Sequence, residues 1–284
     1  MKPQGLSSLI YLDGCDANDT HEVKEALGFL DGQTTNPTLL SKNPEVKKLV
    51  DSGDKFTNDS LLKAYKEQIE KIDAIVGGGS VSVEVYSDDT STVDDLVEQG
   101  KRFSKWGNNI HVKVPATTVG LQAMEDLLKL GIQVNVTLCF SQEQAAVIYS
   151  KSRGFDNVYV SPFIGRIDGI GQDGMSLVEN ISRMYKANGD GHVKILAASI
   201  RGIDAFIRSI ELGSDIITAP KSVLIEWNAL GMPLKLEHPY ERKGSIIPFK
   251  EIPLDESLET YNLSHELTSK GQAQFAEDWK SLLS

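Results

Sequence analysis

Cysteine is nearly absent from the chain, which holds only Cys15 and Cys139 among its 284 residues. A framework of disulfides therefore cannot support the fold. Basic residues are also in deficit, with 29 Lys and Arg against 40 Asp and Glu and a formal net charge of −11. Binding to nucleic acid draws most of its affinity from basic residues on phosphates, so we expect no nucleic-acid partner.

Long apolar runs are missing as well. No uninterrupted stretch approaches the roughly 20 apolar residues that a bilayer-spanning helix needs. The first residues, MKPQGLSSLIYLDGCD, hold no apolar run long enough for a signal peptide. We therefore expect a soluble, cytoplasmic protein without a membrane partner. Small anionic substrates stay open, because a few local arginines can dominate one pocket whatever the net charge.

Short strand-like runs alternate with helix-like segments as far as about residue 231. The runs number eight: 9–13, 28–32, 80–86, 110–115, 133–140, 157–163, 193–199 and 215–220. Between them apolar residues recur at helical spacing, and several segments end at a glycine, which favours a left-handed helix cap. Eight β/α units predict an α/β fold, a closed (β/α)8 TIM barrel over residues 1–231. An open, doubly wound sheet is the alternative, since sequence alone does not show closure.

Residues 232–284 fall outside this repeat. Four prolines make the first part irregular, and an amphipathic segment with Phe275 and Trp279 predicts a last helix. The segment is too short to hold a core of its own. We expect a C-terminal arm that packs on the barrel or on a partner subunit, which leaves a homo-oligomer open.

Several predicted strands carry polar residues on one face, whereas strands of all-parallel sheets are usually apolar on both. The apolar faces must meet the surrounding helices, so the polar faces are predicted to point into the barrel. The polar residues so placed are Asp13, Glu84, Lys113, Asn135, Thr137 and Ser161. All lie towards the C-terminal ends of their strands, where barrel enzymes place their active sites. Burying such a set without a purpose would be costly.

Lys113 is the most informative of these residues. Burial favours its neutral amine, which could attack a carbonyl and form a Schiff base. The alternative is a structural ammonium paired with Asp13 or Glu84, whose charges favour the protonated form, and the sequence leaves both interpretations open. The two carboxylates are candidates for general acid and base catalysis, directly or through a water held by Thr137. A structural role as neutralising charges is the alternative for each.

An anion site is predicted beside these groups. Arg166 follows the sixth predicted strand and Arg201 follows the seventh, so they could clamp a phosphate together with the Ser199 hydroxyl. A solvated surface charge is the alternative for each arginine. The five histidines are scattered, and none forms a ligand cluster with cysteine, so we expect no metal site.

Six phrases that keep their order over roughly residues 9 to 231 resemble the transaldolase family. They are Asp31-Gly-Gln-Thr-Thr-Asn-Pro37, Val83-Glu84-Val85, His111-Val-Lys113-Val-Pro115-Ala, Asn135-Val-Thr137-Leu, Ser161-Pro-Phe-Ile-Gly-Arg166 and Ala197-Ala-Ser199-Ile-Arg201. The resemblance implies a barrel enzyme of the non-oxidative pentose phosphate pathway that needs neither metal nor organic cofactor. It would move a dihydroxyacetone unit from sedoheptulose 7-phosphate or fructose 6-phosphate to an aldose phosphate, either erythrose 4-phosphate or glyceraldehyde 3-phosphate.

The same resemblance implies a role for each matching residue. Lys113 would form the Schiff base, Asp13 and Glu84 would move protons, and Thr137 would position a shared water. The residues implied to bind the substrate are Asn36, Asn135 and Ser161 on the sugar and Arg166, Ser199 and Arg201 on the phosphate.

Two alternatives to a transaldolase stay open. Fructose 6-phosphate aldolases resemble transaldolases but carry a tyrosine where this chain has Phe163. A phenol could help to protonate and release a product, so Phe163 favours transfer over cleavage. A barrel that binds sugar phosphates without catalysis is the other alternative.

Overall fold

The computed structural model of the chain describes residues 1–53, 55–254 and 261–284. Within these residues eight parallel strands form a closed barrel. In order around the barrel they are β1 (Leu9–Asp13), β2 (Gly32–Thr34), β3 (Ser80–Glu84), β4 (Ile110–Pro115), β5 (Val134–Cys139), β6 (Val158–Pro162), β8 (Val193–Ala197) and β9 (Ile216–Ala219). Pairing of β9 with β1 closes the ring, so the predicted TIM barrel is confirmed and the open sheet is wrong.

Two short strands, β7 (Gln172–Asp173) and β10 (Ser245–Ile246), pair outside the barrel. The described helices surround the barrel and connect its strands. Their bounds are α1 (Ala17–Leu27), α2 (Pro37–Ser41), α3 (Pro44–Asp51), α4 (Asn58–Val76), α5 (Val93–Phe103), α6 (Thr118–Lys129), α7 (Gln142–Lys151), α8 (Ile164–Asp168), α9 (Gly174–Asn188), α10 (Ile203–Glu211), α11 (Lys221–Ala229) and α12 (Glu266–Ser281). None of them combines the length and the apolar character needed to span a membrane.

One predicted strand is displaced. The apolar run 28–32 ends where β2 begins, at Gly32, and Gly28 instead caps α1 with a left-handed φ of 74°. The strand itself reads Gly-Gln-Thr, and Gln33 and Thr34 are fully buried and hydrogen-bonded inside the protein. The apolar residues thus precede this strand in the sequence, and the strand itself carries buried polar residues.

Aromatic rings fill the barrel one layer below the predicted site. His111 stacks on Tyr159 with ring centroids 3.9 Å apart, and its Nδ1 lies 2.7 Å from Ser80 Oγ. Burial lowers the pKa of His111 to about 3, so the ring is neutral near pH 7. Tyr11 lies beside Gly32 in the strand register, and a Cβ on that glycine would come within 2.5 Å of the Tyr11 ring.

Replacing Gly32 with alanine is therefore expected to destabilise the barrel. The added methyl would meet the Tyr11 ring and the Ser80 carbonyl, and overpacking of this kind costs about 1–3 kcal/mol of the free energy of unfolding. Urea denaturation followed by circular dichroism measures the change. Gly202→Ala is the control, since a Cβ there meets no atom within 4 Å. An equal change in both variants would contradict the tight contact.

The last helix of the predicted arm lies across the C-terminal end of the barrel. In α12, the Thr268 hydroxyl donates to the Leu138 carbonyl at 2.9 Å, and Asp278 accepts a hydrogen bond from Thr38. Trp279 packs edge-on against Tyr65. The predicted terminal helix is thus present and packs on the barrel of its own chain. Residues 255–260 of the arm lie outside the described residues, and the division of the chain at residue 231 stays a prediction.

Candidate active site

A cavity of about 180 Å³ opens at the C-terminal ends of the strands. Seven of the residues predicted from the sequence line it: Asp13, Asn36, Lys113, Ser161, Phe163, Arg166 and Ser199. Three others, Glu84, Asn135 and Thr137, are buried on the strands beside Lys113. The barrel thus brings most of the predicted site together.

Lys113 is the centre of the site. The side chain is 3% exposed, and its Nζ lies 2.9 Å from Glu84 Oε2 because β3 and β4 pair these two residues in register. The ammonium donates to the Thr35 carbonyl at 3.2 Å. Apart from this ion pair, Glu84 Oε2 has no hydrogen-bond partner among the described residues. A buried amine of this kind has a proton acceptor at contact distance.

The carboxyl groups of Glu84 and Asp13 are both biased towards their neutral forms. Burial raises the pKa of Glu84, and the nearby charge of Lys113 opposes that shift only in part. Burial likewise raises the pKa of Asp13, against the lowering effects of Lys113 and of the Thr34 hydroxyl, which donates to Asp13 Oδ1 at 2.7 Å. Each carboxylate can therefore take up a proton more readily than an exposed one.

A hydroxyl without a partner lies on the next strand. Thr137 Oγ1 is buried and makes no hydrogen bond within the described part of the chain. Beyond it β5 is irregular: its pairing register with β6 shifts between Val136 and Cys139, and Leu138 has a φ of 56°. Since buried polar atoms are nearly always satisfied, the Thr137 hydroxyl is a suitable partner for a water molecule.

The buried amides of the site are held by local contacts. Asn135 donates to Ser82 Oγ at 3.0 Å and accepts from Ser161 Oγ at 2.7 Å, so both ends of its side chain are fixed. Asn36 caps α2, where its Oδ1 accepts from the Leu39 backbone N–H at 2.9 Å. Such locked rotamers can present amide and hydroxyl groups to a polar ligand at little entropic cost.

The two arginines are placed differently. Arg166 lines the cavity and has no ion pair among the described residues, and burial lowers its pKa. The charge of Arg201 also lowers the pKa of Arg166. Arg201 itself is exposed and lines an adjoining cavity with Asp168 and Lys243. Ser199 lines the Lys113 cavity in a left-handed conformation, with a φ of 58°. Unpaired guanidiniums at this end suit an anionic ligand.

Sequence reasoning missed some of the cavity. Thr34 and Thr218 form a hydroxyl pair 2.7 Å apart beside Asp13, and Phe275 closes the cavity from α12. The alternation of polar and apolar residues in the run 215–220 could have identified Thr218. Across the described residues, no group of three or more His, Cys, Asp or Glu side chains is placed to hold a metal ion.

Comparison with known proteins gives a consistent result. A family model described as Transaldolase/Fructose-6-phosphate aldolase matches residues 10–284. A protein of Nitrosopumilus maritimus named probable transaldolase is 37% identical over 238 residues, which cover 83% of this chain and 90% of that protein. Proteins of the same name from Maridesulfovibrio salexigens and Dehalococcoides mccartyi are 33% and 30% identical, and each alignment covers at least 94% of both chains.

Proposed function

The chain belongs to the transaldolase/fructose-6-phosphate aldolase family, and from that membership and the site around Lys113 we propose that it is a transaldolase. The observation that carries the proposal is a buried amine in the cavity with a carboxylate oxygen at 2.9 Å. The reaction moves a dihydroxyacetone unit from sedoheptulose 7-phosphate or fructose 6-phosphate to erythrose 4-phosphate or glyceraldehyde 3-phosphate. Its place is the non-oxidative pentose phosphate pathway, in the cytoplasm.

The first stage is formation of a Schiff base on Lys113. The ammonium passes a proton to Glu84, whose raised pKa favours the neutral acid, and the free amine adds to the C2 ketone of the donor. A water on the Thr137 hydroxyl and Glu84 Oε2 relays protons while the C2 oxygen leaves as water. The product is an iminium between Lys113 Nζ and C2.

The second stage is cleavage and transfer. Asp13 takes the proton of the C4 hydroxyl, the C3–C4 bond breaks, and its electron pair moves onto the iminium to give an enamine. The aldose phosphate leaves with a carbonyl at the former C4. An acceptor aldose then binds, the enamine carbon attacks its aldehyde, and Asp13 returns the proton to the new hydroxyl. Hydrolysis of the resulting iminium frees Lys113.

Polar groups around the cavity bind the other parts of the donor sugar phosphate. Asn36, Asn135 and Ser161 hydrogen-bond the dihydroxyacetone part, and their rotamers are already fixed. The phosphate pairs with Arg166 and the Ser199 hydroxyl, with Arg201 approaching from the adjoining cavity. Phosphate binding would give Arg166 a direct ion pair, which it does not have among the described residues.

A fructose 6-phosphate aldolase is the second candidate, and Phe163 favours transfer over it. The Phe163 ring is buried against the Arg166 guanidinium, with 5.5 Å between the guanidinium carbon and the ring centroid. It offers no hydroxyl to protonate an enamine and release free dihydroxyacetone. Retention of the enamine until an acceptor arrives is the chemistry of a transferase. A barrel that only binds sugar phosphates is less consistent with this complete set of acid–base groups.

Product analysis tests the proposal. The protein is incubated with fructose 6-phosphate, with and without erythrose 4-phosphate, and the products are separated by chromatography. We expect sedoheptulose 7-phosphate and glyceraldehyde 3-phosphate only when the acceptor is present. Free dihydroxyacetone formed without an acceptor indicates the aldolase. Saturable binding of fructose 6-phosphate with no product in either reaction indicates the non-catalytic barrel.

The two arginines are expected to differ in their effect on phosphate recognition. Arg166→Ala should raise the KM for fructose 6-phosphate about 30-fold or more, because it removes a buried charge-assisted contact in the cavity. Arg201→Ala should raise the same KM less, because that side chain is exposed. Initial rates with fructose 6-phosphate and with unphosphorylated fructose measure both effects. Equal losses on the two ketoses would contradict a phosphate role for either residue.

A further inference from the structure

The Arg166 guanidinium is enclosed by aromatic rings and by the C-terminal helix. Its carbon lies 5.5 Å from the Phe163 ring centroid and 5.1 Å from that of Phe275, so one ring from α12 and one from the β6–α8 junction hold it. Cation–π contacts of this kind fix a guanidinium without consuming its N–H groups. The donors therefore remain free for a ligand in the cavity.

Gly271, one helical turn before Phe275, leaves room for the end of the same guanidinium. A Cβ at Gly271 would lie 2.5 Å from Arg166 Nη1 and 2.6 Å from a methyl carbon of Leu138. Gly271 is buried in the helix interior, where glycine costs about 1 kcal/mol relative to alanine. A glycine at this position is thus unfavourable for the helix itself and favourable for the placement of Arg166.

Hydrogen bonds fix the position of α12 over this point. The Thr268 hydroxyl donates to the Leu138 carbonyl and accepts from Gln144 Nε2, both at 2.9 Å. Further along the helix, Gln272 Nε2 donates to the Asp88 carbonyl at 3.1 Å, and Asp278 accepts from Thr38. The helix is attached to the ends of several barrel units, so its register over Arg166 is determined on both sides of Gly271 and Phe275.

From this geometry we infer that Gly271 and Phe275 are positioning residues that hold the Arg166 guanidinium for the phosphate of the sugar. Helix α12 thereby sets the preference for phosphorylated substrates, although its own residues add no group to the Schiff-base chemistry. The inference deepens the proposed function and rests on it only in taking sugar phosphates as the ligands. A displaced Arg166 should weaken phosphate binding more than it slows reactions of unphosphorylated ketones at Lys113.

The experiment compares four variants of the full chain. Gly271→Ala adds one carbon against Arg166, and its matched control, Ala273→Ser, adds one heavy atom on the exposed side of the same helix. Phe275→Leu removes the ring face, while Phe275→Tyr retains it. Binding of inorganic phosphate is measured by calorimetry, and the rate of borohydride-trapped adduct formation with dihydroxyacetone reports on Lys113 without a phosphate. Thermal unfolding checks that each variant folds.

We expect Gly271→Ala and Phe275→Leu to weaken phosphate binding about tenfold each, close to 1.4 kcal/mol. Ala273→Ser should stay within about twofold of the parent chain in phosphate affinity and in the rate of dihydroxyacetone adduct formation. Phe275→Tyr should keep more phosphate affinity than Phe275→Leu. In Gly271→Ala and Phe275→Leu, phosphate affinity should fall by a larger factor than the adduct rate. If either Gly271→Ala or Phe275→Leu does not fold, the other variant tests the inference. Unchanged phosphate affinity, or equal losses of phosphate affinity and adduct formation, overturns the inference.

The outcome is separable from that of the proposed function. A parent chain that binds phosphate but makes no transfer product refutes the transaldolase, and the variants still test the role of α12 through phosphate affinity. A parent chain that transfers dihydroxyacetone while Gly271→Ala and Phe275→Leu keep full phosphate affinity supports the transaldolase and refutes the role of α12. Absence of phosphate binding by the parent chain refutes the inference directly.

Discussion

Replacing Lys113 with methionine is expected to abolish transfer while the barrel stays folded. Methionine preserves most of the side-chain volume and removes the cavity amine that lies against Glu84. Loss of a covalent nucleophile leaves only binding and electrostatic contributions, so turnover should fall on the order of 10⁴-fold or more. The variant also leaves Glu84 buried without its ion-pair partner, a loss that costs about 3–5 kcal/mol when the remaining group stays charged. Because burial raises the pKa of Glu84, we expect the carboxyl to take up a proton, which reduces this cost and keeps the barrel folded.

Borohydride trapping with fructose 6-phosphate gives the matching measurement. In the parent chain we expect a stable adduct that peptide mass mapping places on Lys113. Lys151→Met is the control. That lysine is largely buried, forms an ion pair with Glu125 at 2.6 Å and does not line the cavity. An adduct on another lysine would refute the proposed nucleophile. Unfolding of Lys113→Met with no adduct in the parent chain would make the ammonium structural.

Apolar composition and flanking turn residues were sufficient to predict most of the barrel strands, whereas closure of the sheet is shown by the structure. The exception is β2, which carries two buried polar residues: Thr34 donates to Asp13 inside the barrel, and Gln33 on the opposite face accepts from Thr20 of α1. A strand that reads Gly-Gln-Thr has no apolar residue from which it could be predicted. Its position follows from pairing with β1 and β3, which is a property of the closed sheet.

Alternation along single strands also predicted which side chains meet at the site. Glu84 and Lys113 alternate onto inward faces, and the strand register then brings them into contact. Two features could not be predicted this way. Phe275 reaches the cavity because α12 docks on residues more than 100 positions earlier, such as Leu138. Arg201 extends into the adjoining cavity after the left-handed turn at Ser199, and such a conformation is rare for a residue other than glycine.

Replacing Glu84 with glutamine tests how the buried amine loses its proton. Glutamine keeps the volume of the side chain but cannot accept the Lys113 proton, and it cannot exchange protons with a water on Thr137. We expect kcat to fall about 10²–10⁴-fold, the usual contribution of a positioned acid or base. Since burial raises the pKa of Glu84, the parent chain can form a neutral amine and a neutral acid side by side. The variant has no such route.

Pre-steady-state trapping locates the step that is affected. Rapid quenching with borohydride should show that the Lys113 adduct forms slowly in Glu84→Gln. In Asp13→Asn, which lacks the acceptor of the C4 proton, the adduct should form at the parent rate, but release of the aldose phosphate should be slow. Asp73→Asn is the control. Asp73 is a buried carboxylate on α4 that accepts a hydrogen bond from Asn108 and does not line the cavity, so its loss should lower stability without changing either rate. Fast adduct formation in Glu84→Gln would show that another group takes the proton. Asp13, which lines the same cavity as Lys113 and has a raised pKa, would then be the acceptor for both steps.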